Sequence, residues 1–471
     1  MYERQKRADR KGLKKADRKA TKEERGQLES VKGHFWRSRS ERFRSGEEKM
    51  RTKVQKHRTV LVLMTALILT ITVPLGNAGM FKALAAGQNG KHHIVMNGQG
   101  SQPDQSKEVN KRSSFYGEGE GAGEKAGKYD GILADEEYCR QNRIYPKETA
   151  DPGEISLVFA GDILFDDSYA IMASMKQRKA GIDGTISADL LEEMRGADIF
   201  MVNNEFPYTN RGTPLPGKTF TFRARPENAS MLLDMGADIV SLANNHTYDY
   251  GEVSLTDSID TLNGIGMPFV GAGRNLQEAA APVYFIANDT KIAFISATQI
   301  ERMANPQTKG ATDHSAGVFR CREIEGLLQA VREARAVSDY VIVYIHWGTE
   351  STDVLDSWQL TQAPQIAASG ADLIIGAHPH VLQPVAFEGE VPVIYSLGNF
   401  LFNSKMRDSC LVKVVLGGEG IKSIQFIPAK QASCKVSMAS GTEKERILAY
   451  MRRISPTVTI DENGFIEKGG R

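Results

Sequence analysis

Cysteine is scarce in this sequence, with four residues among 471, and no two of them form a Cys-x-x-Cys pair. The absence of that spacing excludes a zinc ribbon, and the small number of cysteines excludes a disulfide-dense secreted framework. A bridge between Cys410 and Cys434 and a pair of unpaired thiols are both compatible with the sequence. Histidine is also scarce, with nine residues, so its placement is informative.

The whole chain has almost no net charge, at +1, but two oppositely charged parts produce this value. Residues 1–58 contain 21 Lys and Arg against 9 Asp and Glu, a net charge of +12, and the remainder carries −11. The basic segment is interleaved with acidic residues and is followed directly by an apolar run. Attraction to anionic lipid headgroups therefore explains it more simply than nucleic-acid binding, and no nucleic-acid partner is expected.

Residues 59–79 contain no charged side chain, over the roughly 20 residues that a helix needs to cross a bilayer. They predict one transmembrane helix, with residues 1–58 in the cytoplasm because basic flanks favour that side. A cleaved secretory signal is the alternative, but a 58-residue basic leader is too long for an ordinary one. We therefore expect a single-pass cell-membrane protein in contact with lipid, with an extracytoplasmic main domain.

The rest of the chain divides by composition. Residues 80–153 are rich in Gly, Ser, Lys, Asn and Glu and predict a flexible linker. Residues 154–404 alternate short apolar runs with amphipathic stretches, which predicts an α/β domain with a parallel or mixed sheet covered by helices. Residues 405–471 predict strands and a helix that complete the domain, with an antiparallel pair around Gly417 and Gly418.

Polar residues follow nearly every apolar run, where the carboxyl ends of strands form the ligand-binding edge of an α/β sheet. They are Gly161-Asp162, Asn204-Glu205, Asn244-Asn245-His246, His346-Trp347-Gly348, His378-Pro379-His380 and Gly398-Asn399. Gly, Asp and Asn are common in turns and at helix N-termini, and a single histidine is usually structural. Turns have no need of histidine, however, so four imidazoles at one edge favour a metal site.

Nitrogen and oxygen ligands without thiolate suit Zn, Mn, Fe or Mg. A carboxylate shared between two such ions would make a two-metal hydrolytic centre, and His246, beside Asn245, would be free to act as general acid. Arg223 and Arg225 would bind an anionic substrate or lie as surface charges before a helix. Asn399 would shape a substrate pocket or merely pack.

Several motifs resemble the capsule synthesis protein CapA family, also called the poly-γ-glutamate biosynthesis family. The resemblance extends from about Ser156 to Phe402 and includes GDILF, NNEFPYT, FRARPENASMLLDMGADIVSLANNHTYDYG, VGAGRNLQEA, IHWGTE, GAHPHVLQPV and IYSLGNFLF. The family belongs to the metallo-dependent phosphatase-like superfamily. The resemblance therefore implies a four-layer α/β/β/α sandwich with a metal centre at the strand ends.

Residue by residue, the resemblance implies that Asp162 is the first acidic ligand and that Glu205 bridges two ions. It implies that Asn245 and His246 form the Asn-His pair of these enzymes. It also implies that His346, His378 and His380 are further ligands. One departure stands out, because the phosphoesterase motif Asp-x-His is replaced here by Asp162, Ile163 and Leu164. One ion thereby loses an imidazole, so the resemblance implies either a single tightly bound ion or a weak second one.

The resemblance also implies a role in synthesis, export or anchoring of poly-γ-glutamate or a related anionic polymer, alongside other membrane subunits of a capsule synthase. On this basis we expect a metal-dependent hydrolase that acts on an amide or phosphoester bond. The alternatives are a non-catalytic polymer-handling subunit and a surface phosphoesterase or nucleotidase unconnected with capsule.

Overall fold

The structure, a computed structural model, describes residues 127–300 and 308–470. The predicted cytoplasmic segment, the predicted membrane helix at residues 59–79 and most of the predicted linker lie outside these residues. Within the described part, no helix is both long enough and apolar enough to span a membrane.

The described residues form nineteen strands, ten α-helices and one 3-10 helix at Pro226–Ala229. The strands are β1 (Ile144–Pro146), β2 (Ile155–Ile163), β3 (Ile199–Asn204), β4 (Ile239–Ser241), β5 (Phe269–Val270), β6 (Ala272–Gly273), β7 (Val283–Ala287), β8 (Thr290–Thr298), β9 (Gly317–Val318), β10 (Tyr340–His346), β11 (Leu373–Ala377), β12 (Val385–Glu388), β13 (Val391–Ile394), β14 (Asn399–Leu401), β15 (Arg407–Gly417), β16 (Gly420–Ala432), β17 (Lys435–Met438), β18 (Val458–Ile460) and β19 (Ile466–Lys468). The α-helices are α1 (Asp130–Leu133), α2 (Glu136–Gln141), α3 (Ala170–Arg178), α4 (Ala188–Arg195), α5 (Ser230–Met235), α6 (Glu252–Gly264), α7 (Leu276–Ala280), α8 (Glu325–Arg335), α9 (Ser357–Ala368) and α10 (Gly441–Ile454).

Two large sheets contain most of the strands. The seven-stranded sheet has the order β1-β7-β8-β10-β11-β13-β12, and the eight-stranded sheet has the order β17-β16-β15-β2-β3-β4-β5 with β14 beside β2. Both are mixed. In the first, β8, β10, β11 and β13 run parallel, whereas β7 runs antiparallel to β8 and β12 runs antiparallel to β13. In the second sheet, β2 to β5 are parallel and β15 pairs antiparallel with β2. The predicted mixed α/β architecture is confirmed.

Apolar residues cover both faces of the central strands. On β2, Leu157 and Phe159 belong to a buried cluster that also contains Ile342 of β10, whereas Val158 and Ala160 belong to a cluster containing residues of α3 to α6. Successive strand residues point to opposite faces, so β2 contacts the other sheet on one side and helices on the other. A third cluster joins the outer face of β10 to α8 and α9.

The predicted antiparallel pair is present, since β15 and β16 pair antiparallel and the chain turns between Gly417 and Gly420. The predicted linker differs at its end. The prediction extends the linker to residue 153, whereas the structure places α1, α2 and β1 between residues 130 and 146. Tyr129, Cys139 and Ile144 are buried with Ile286, and β1 pairs with β7, so apolar side chains order a segment of mainly polar composition.

None of the four cysteines forms a disulfide within the described residues, and all four are buried. Cys410 lies in the cluster between the sheets and Cys434 in the cluster under the helices. These opposite faces explain why the two residues form no bridge, so the unpaired alternative holds for this pair.

Candidate metal centre

The ends of strands from both sheets meet at one place. β2 ends around Asp162, and Glu205 and Asn245 follow β3 and β4 of the eight-stranded sheet. β10 ends at His346, and His378 and His380 follow β11 in the seven-stranded sheet. The site therefore lies where the carboxyl ends of parallel strands from two sheets converge, as expected for a ligand site in an α/β protein.

One group of ligand atoms comes from Asp162, Glu205 and His380. Their ligand atoms all lie within 4.8 Å of one another. Nδ1 of His380 is 3.1 Å from Oδ2 of Asp162 and 3.9 Å from Oε2 of Glu205. Two carboxylates and one imidazole suit a divalent cation such as Mn, Mg, Fe or Zn.

A second group comes from Glu205, His346 and His378, again within 4.8 Å of one another. Nε2 of His346 is 2.8 Å from Oδ1 of Asn245, 3.0 Å from Nδ1 of His378 and 3.5 Å from Oε1 of Glu205. Ligand atoms bonded about 2.0–2.2 Å from one ion lie roughly 3 Å apart, which is the spacing found here. Asn245 thus joins this group through its amide oxygen.

Glu205 is common to both groups. It is completely buried, and neither of its carboxylate oxygens has a hydrogen-bond partner within the described residues. A buried carboxylate without partners costs free energy, and buried charges are normally paired or coordinated to metal. The donor set and this unpartnered carboxylate therefore fit a divalent ion on each side of Glu205.

The pKa shifts follow from burial and crowding of like charges. Burial raises the pKa of Glu205 well above its usual value, and the Asp162 charge adds to the rise. Burial lowers the pKa of His346 well below its usual value, with the charges of His378 and His380 contributing. Burial opposes protonation of His380, but the hydrogen bond and charge of Asp162, the charge of Glu350 and the hydrogen bond with Asn399 together outweigh it, so the pKa of His380 is raised.

Buried amides hold the candidate ligands in position. Nδ2 of Asn203 donates to Oδ1 of Asp162 at 2.8 Å and lies 3.4 Å from Nδ1 of His346. Nδ2 of Asn244 donates to Oδ1 of Asn203 at 3.2 Å. Such outer partners fix the orientation of metal ligands. Sequence reasoning missed Asn203, although its place beside Asn204-Glu205 at the end of β3 was a usable signal.

His246 lies beside this ligand set and has its own support. Its Nδ1 is 2.7 Å from Oδ2 of Asp249, and its ring centroid is 4.1 Å from that of Phe222. Asp249 is completely buried and forms an ion pair with Lys218. Burial lowers the pKa of His246, while the Asp249 charge opposes that shift. With Nδ1 engaged by Asp249, Nε2 remains as the nitrogen for proton transfer.

The three residues predicted to bind substrate have structural contacts of their own. Nε of Arg225 is 2.8 Å from Oδ2 of Asp167, and the Arg223 guanidinium lies over the Tyr250 ring at 4.6 Å. Oδ1 of Asn399 is 2.8 Å from Nδ1 of His380, so Asn399 orients a member of the ligand set. Their contact with substrate stays a prediction.

The His-Pro-His segment has an unusual backbone. His378 has a φ of 99° and His380 a φ of 58°, a region that residues other than glycine rarely adopt. Such strain persists only where surrounding contacts enforce it, and it is common at functional sites. Here it directs two imidazoles from one short turn toward the same site.

Sequence reasoning also missed Glu350. One of its carboxylate oxygens and ring nitrogens of His378 and His380 lie within 4.8 Å of one another. Glu350 is exposed and follows β10 by four residues, in the IHWGTE motif. That motif drew attention to His346, and nothing in the spacing of Glu350 marked it as part of the site.

Comparison with known proteins places this site in a family. The chain is 29% identical over 282 residues to the PGA biosynthesis protein CapA of Bacillus subtilis, covering 58% of this chain and 71% of that protein. It is 28% identical over 243 residues to the capsule biosynthesis protein CapA of Bacillus anthracis, covering 50% and 58%. A probable polyglutamine synthesis accessory protein of Mycobacterium tuberculosis is 24% identical over 280 residues, covering 56% and 74%.

The family profile described as bacterial capsule synthesis protein PGA_cap matches residues 156–404. The match confirms the CapA resemblance and includes every residue of the ligand set, from Asp162 to His380. Because it covers more than half of the 471 residues, this chain belongs to the bacterial capsule synthesis protein PGA_cap family.

Proposed function

We propose that this chain is a metal-dependent hydrolase that serves synthesis, export or anchoring of poly-γ-glutamate or a related anionic surface polymer. Family membership and the names of the Bacillus relatives support the involvement in polymer synthesis. The hydrolase part depends on one observation, the buried carboxylate of Glu205, which has no hydrogen-bond partner within the described residues and lies between two groups of possible ligand atoms.

Divalent ions at such a centre would supply Lewis acidity and a water of lowered pKa. The chain's own residues would hold them, with Asp162 and His380 on one side of Glu205 and Asn245, His346 and His378 on the other. His246 would deliver a proton to the leaving group of an amide or phosphoester. Asp249 would keep the His246 ring oriented and support its protonated form.

The architecture that we propose for this centre is the four-layer α/β/β/α sandwich of metallo-dependent phosphatases. The apolar cluster between the two sheets and the clusters beneath the outer helices support it. In such a sandwich, rigid strands carry the ligands, which keeps the centre in a fixed geometry.

A cleft beside the centre supports an anionic polymer as the partner. It encloses about 520 Å³, and its lining includes Val381 and Leu382, directly after His380, together with Arg407, Lys430 and Arg446. Lys430 and Arg446 bind the two acidic residues of the lining. Among the described residues, the Arg407 side chain has no ion pair, so the cleft retains a guanidinium suited to carboxylates.

The location that we propose is the outer face of the cell membrane. The uncharged run at residues 59–79 and the basic residues before it support a single span with the catalytic part outside. Lipid and further synthase subunits would then be neighbours of this chain.

A second candidate is a non-catalytic subunit that holds the polymer through the same edge. Leu164 favours it, because this residue replaces an imidazole of the phosphoesterase pattern and is completely buried. A chain of this kind would bind metal or polymer carboxylates without breaking a bond.

Metal analysis and turnover assays on the full-length chain test these candidates. We expect the wild-type chain to bind divalent metal and to cleave γ-linked polyglutamate. We expect His246→Gln to retain the metal and to have at least about a hundredfold lower turnover, the range for loss of a general acid. Metal without turnover of any substrate would favour the polymer-holding subunit. Turnover of a generic phosphodiester alone would favour a surface phosphoesterase, and absence of bound metal would refute the hydrolase.

A further inference from the structure

The side chain two positions after Asp162 is aliphatic and cannot bind an ion. Leu164 stands where the phosphoesterase pattern has histidine, and it is completely buried in the cluster containing helices α3 to α6. Its backbone N–H donates to the Leu401 carbonyl at 2.9 Å, which fixes this part of the chain against β14. The ion beside Asp162, Glu205 and His380 therefore needs a ligand from another part of the chain.

We propose that Glu350 supplies that ligand as a carboxylate oxygen to the ion held by Asp162, Glu205 and His380. This inference rests on the metal centre of the proposed function. A Glu350 carboxylate oxygen already lies within 4.8 Å of ring nitrogens of His380 and His378, and His380 also belongs to the group that contains Asp162 and Glu205. Within the described residues it forms no hydrogen bond or ion pair, so ion binding would displace no partner among those residues.

The loop that carries Glu350 is fastened to the His-Pro-His segment. The Ser351 N–H donates to the Pro379 carbonyl at 2.8 Å, and Nε2 of Gln383 donates to the Thr352 carbonyl at 3.1 Å. Gly348 and Ser351 have φ values of 87° and 62°, which turn the chain on either side of Glu350. These contacts hold the carboxylate beside the imidazoles rather than leaving it on a free loop.

A Glu350 ligand makes the two positions chemically different. The ion of Asp162, Glu205, Glu350 and His380 has three carboxylates and one imidazole, an oxygen-rich set that suits Mn²⁺ or Mg²⁺. The other ion has His346, His378, the Asn245 amide and the shared Glu205, a nitrogen-rich set that also suits Zn²⁺ or Fe²⁺. The replacement of histidine by a carboxylate thus selects a harder ion at one position.

Metal titration of the full-length chain tests this inference without any activity assay. Wild type, Glu350→Gln and Glu350→His are stripped with a chelator and titrated separately with Mn²⁺ and Zn²⁺, and bound ions are counted by elemental analysis. Glu419→Gln is the matched control, because Glu419 is exposed at the β15–β16 turn, near the opposite end of β2 from Asp162.

We expect Glu350→Gln to lower the Mn²⁺ affinity of the weaker position by about tenfold or more, by analogy with the loss of outer ligand contacts. The affinity of the tighter position should not change. Glu350→His should shift the preference of that position from Mn²⁺ toward Zn²⁺. The Glu419→Gln control should match wild type.

Wild-type ion number and affinity in Glu350→Gln would overturn this inference while leaving the metal centre intact. Equal weakening of both ions would also overturn it, because Glu350 would then not belong to one position. An unchanged Mn²⁺ to Zn²⁺ preference in Glu350→His would overturn the proposed ion class. A wild-type chain that binds no ion would refute the proposed function instead. A cooperative unfolding transition, measured in denaturant with chelator present, confirms that each variant is folded.

Discussion

Nε2 of His346 lies 3.5 Å from Oε1 of Glu205, although the two residues end strands of different sheets. Glu205 follows β3 in the eight-stranded sheet, and His346 ends β10 in the seven-stranded sheet. An ion at this point would join the two sheets directly. Metal binding and folding stability should therefore be coupled.

Replacement of Glu205 by glutamine should raise the stability of the metal-free protein. The substitution replaces a carboxyl group, whose charged form is disfavoured by burial and by the Asp162 charge, with a neutral amide, and we expect a gain of roughly 1–3 kcal/mol in chelator at pH 8. Excess Mn²⁺ should stabilise wild type by about 2.7 kcal/mol at a hundredfold excess over Kd, and should not stabilise the variant. Unfolding in denaturant with chelator or with Mn²⁺ measures both effects, and Mn²⁺ stabilisation of Glu205→Gln would contradict the shared-ligand assignment.

The double substitution His378→Ala and His380→Ala should abolish metal uptake and leave the fold largely intact. Each proposed ion position loses one imidazole, while the apolar clusters that stabilise the sheets are untouched. Elemental analysis and circular dichroism of the full-length variant give the two readouts. The control is His314→Ala, because His314 is exposed and lies outside the three groups of possible ligands. Retained metal in the double variant would mean that these ligands are misassigned.

Gly376→Ala should destabilise the protein and weaken metal binding. A Cβ at Gly376 would lie 2.0 Å from the Tyr395 carbonyl oxygen and 2.5 Å from Nε1 of Trp347, which donates to that oxygen. We expect a loss of about 1–3 kcal/mol, the cost of overpacking a core, together with displacement of the His378 turn. Gly418→Ala is the control, because a Cβ there meets no atom within 4 Å. Similar unfolding midpoints for both variants would show that the close approach is unimportant.

Glu443 should contribute stability that disappears in acid. Hydrogen bonds from Arg446 and Lys430 lower its pKa from 4.5 to about 2. A lowered folded-state pKa stabilises the protein above pH 4.5, and this stabilisation declines as the pH falls toward 2. Thermal unfolding of wild type and Glu443→Gln between pH 7 and pH 2 measures it, and we expect the two midpoints to converge in acid. A constant difference across this range would contradict the assignment.

Much of the fold could be predicted because its central strands are buried on both faces. β2, β8, β10 and β11 appear in the sequence as continuous apolar runs, which is the signal for such strands. Short elements gave no comparable signal. The two-residue strands β6 and β9 depend on their partners, and the ordering of α1, α2 and β1 depends on contacts with β7.

The grouping of the candidate ligands was predictable where they follow long strands. Asp162, His346 and the His-Pro-His turn stand at the ends of β2, β10 and β11, so a rule about strand ends was enough to predict that these side chains lie together. Glu350 lies beyond the end of its strand, and its position depends on the Ser351 to Pro379 hydrogen bond between distant parts of the chain. No sequence pattern specifies that contact.

The buried and unbridged cysteines have a practical consequence for how this molecule matures. Since no disulfide forms within the described residues, the packing of that part requires no oxidant and no thiol-exchange catalyst. Reducing agents should therefore leave the folded core of the described residues intact.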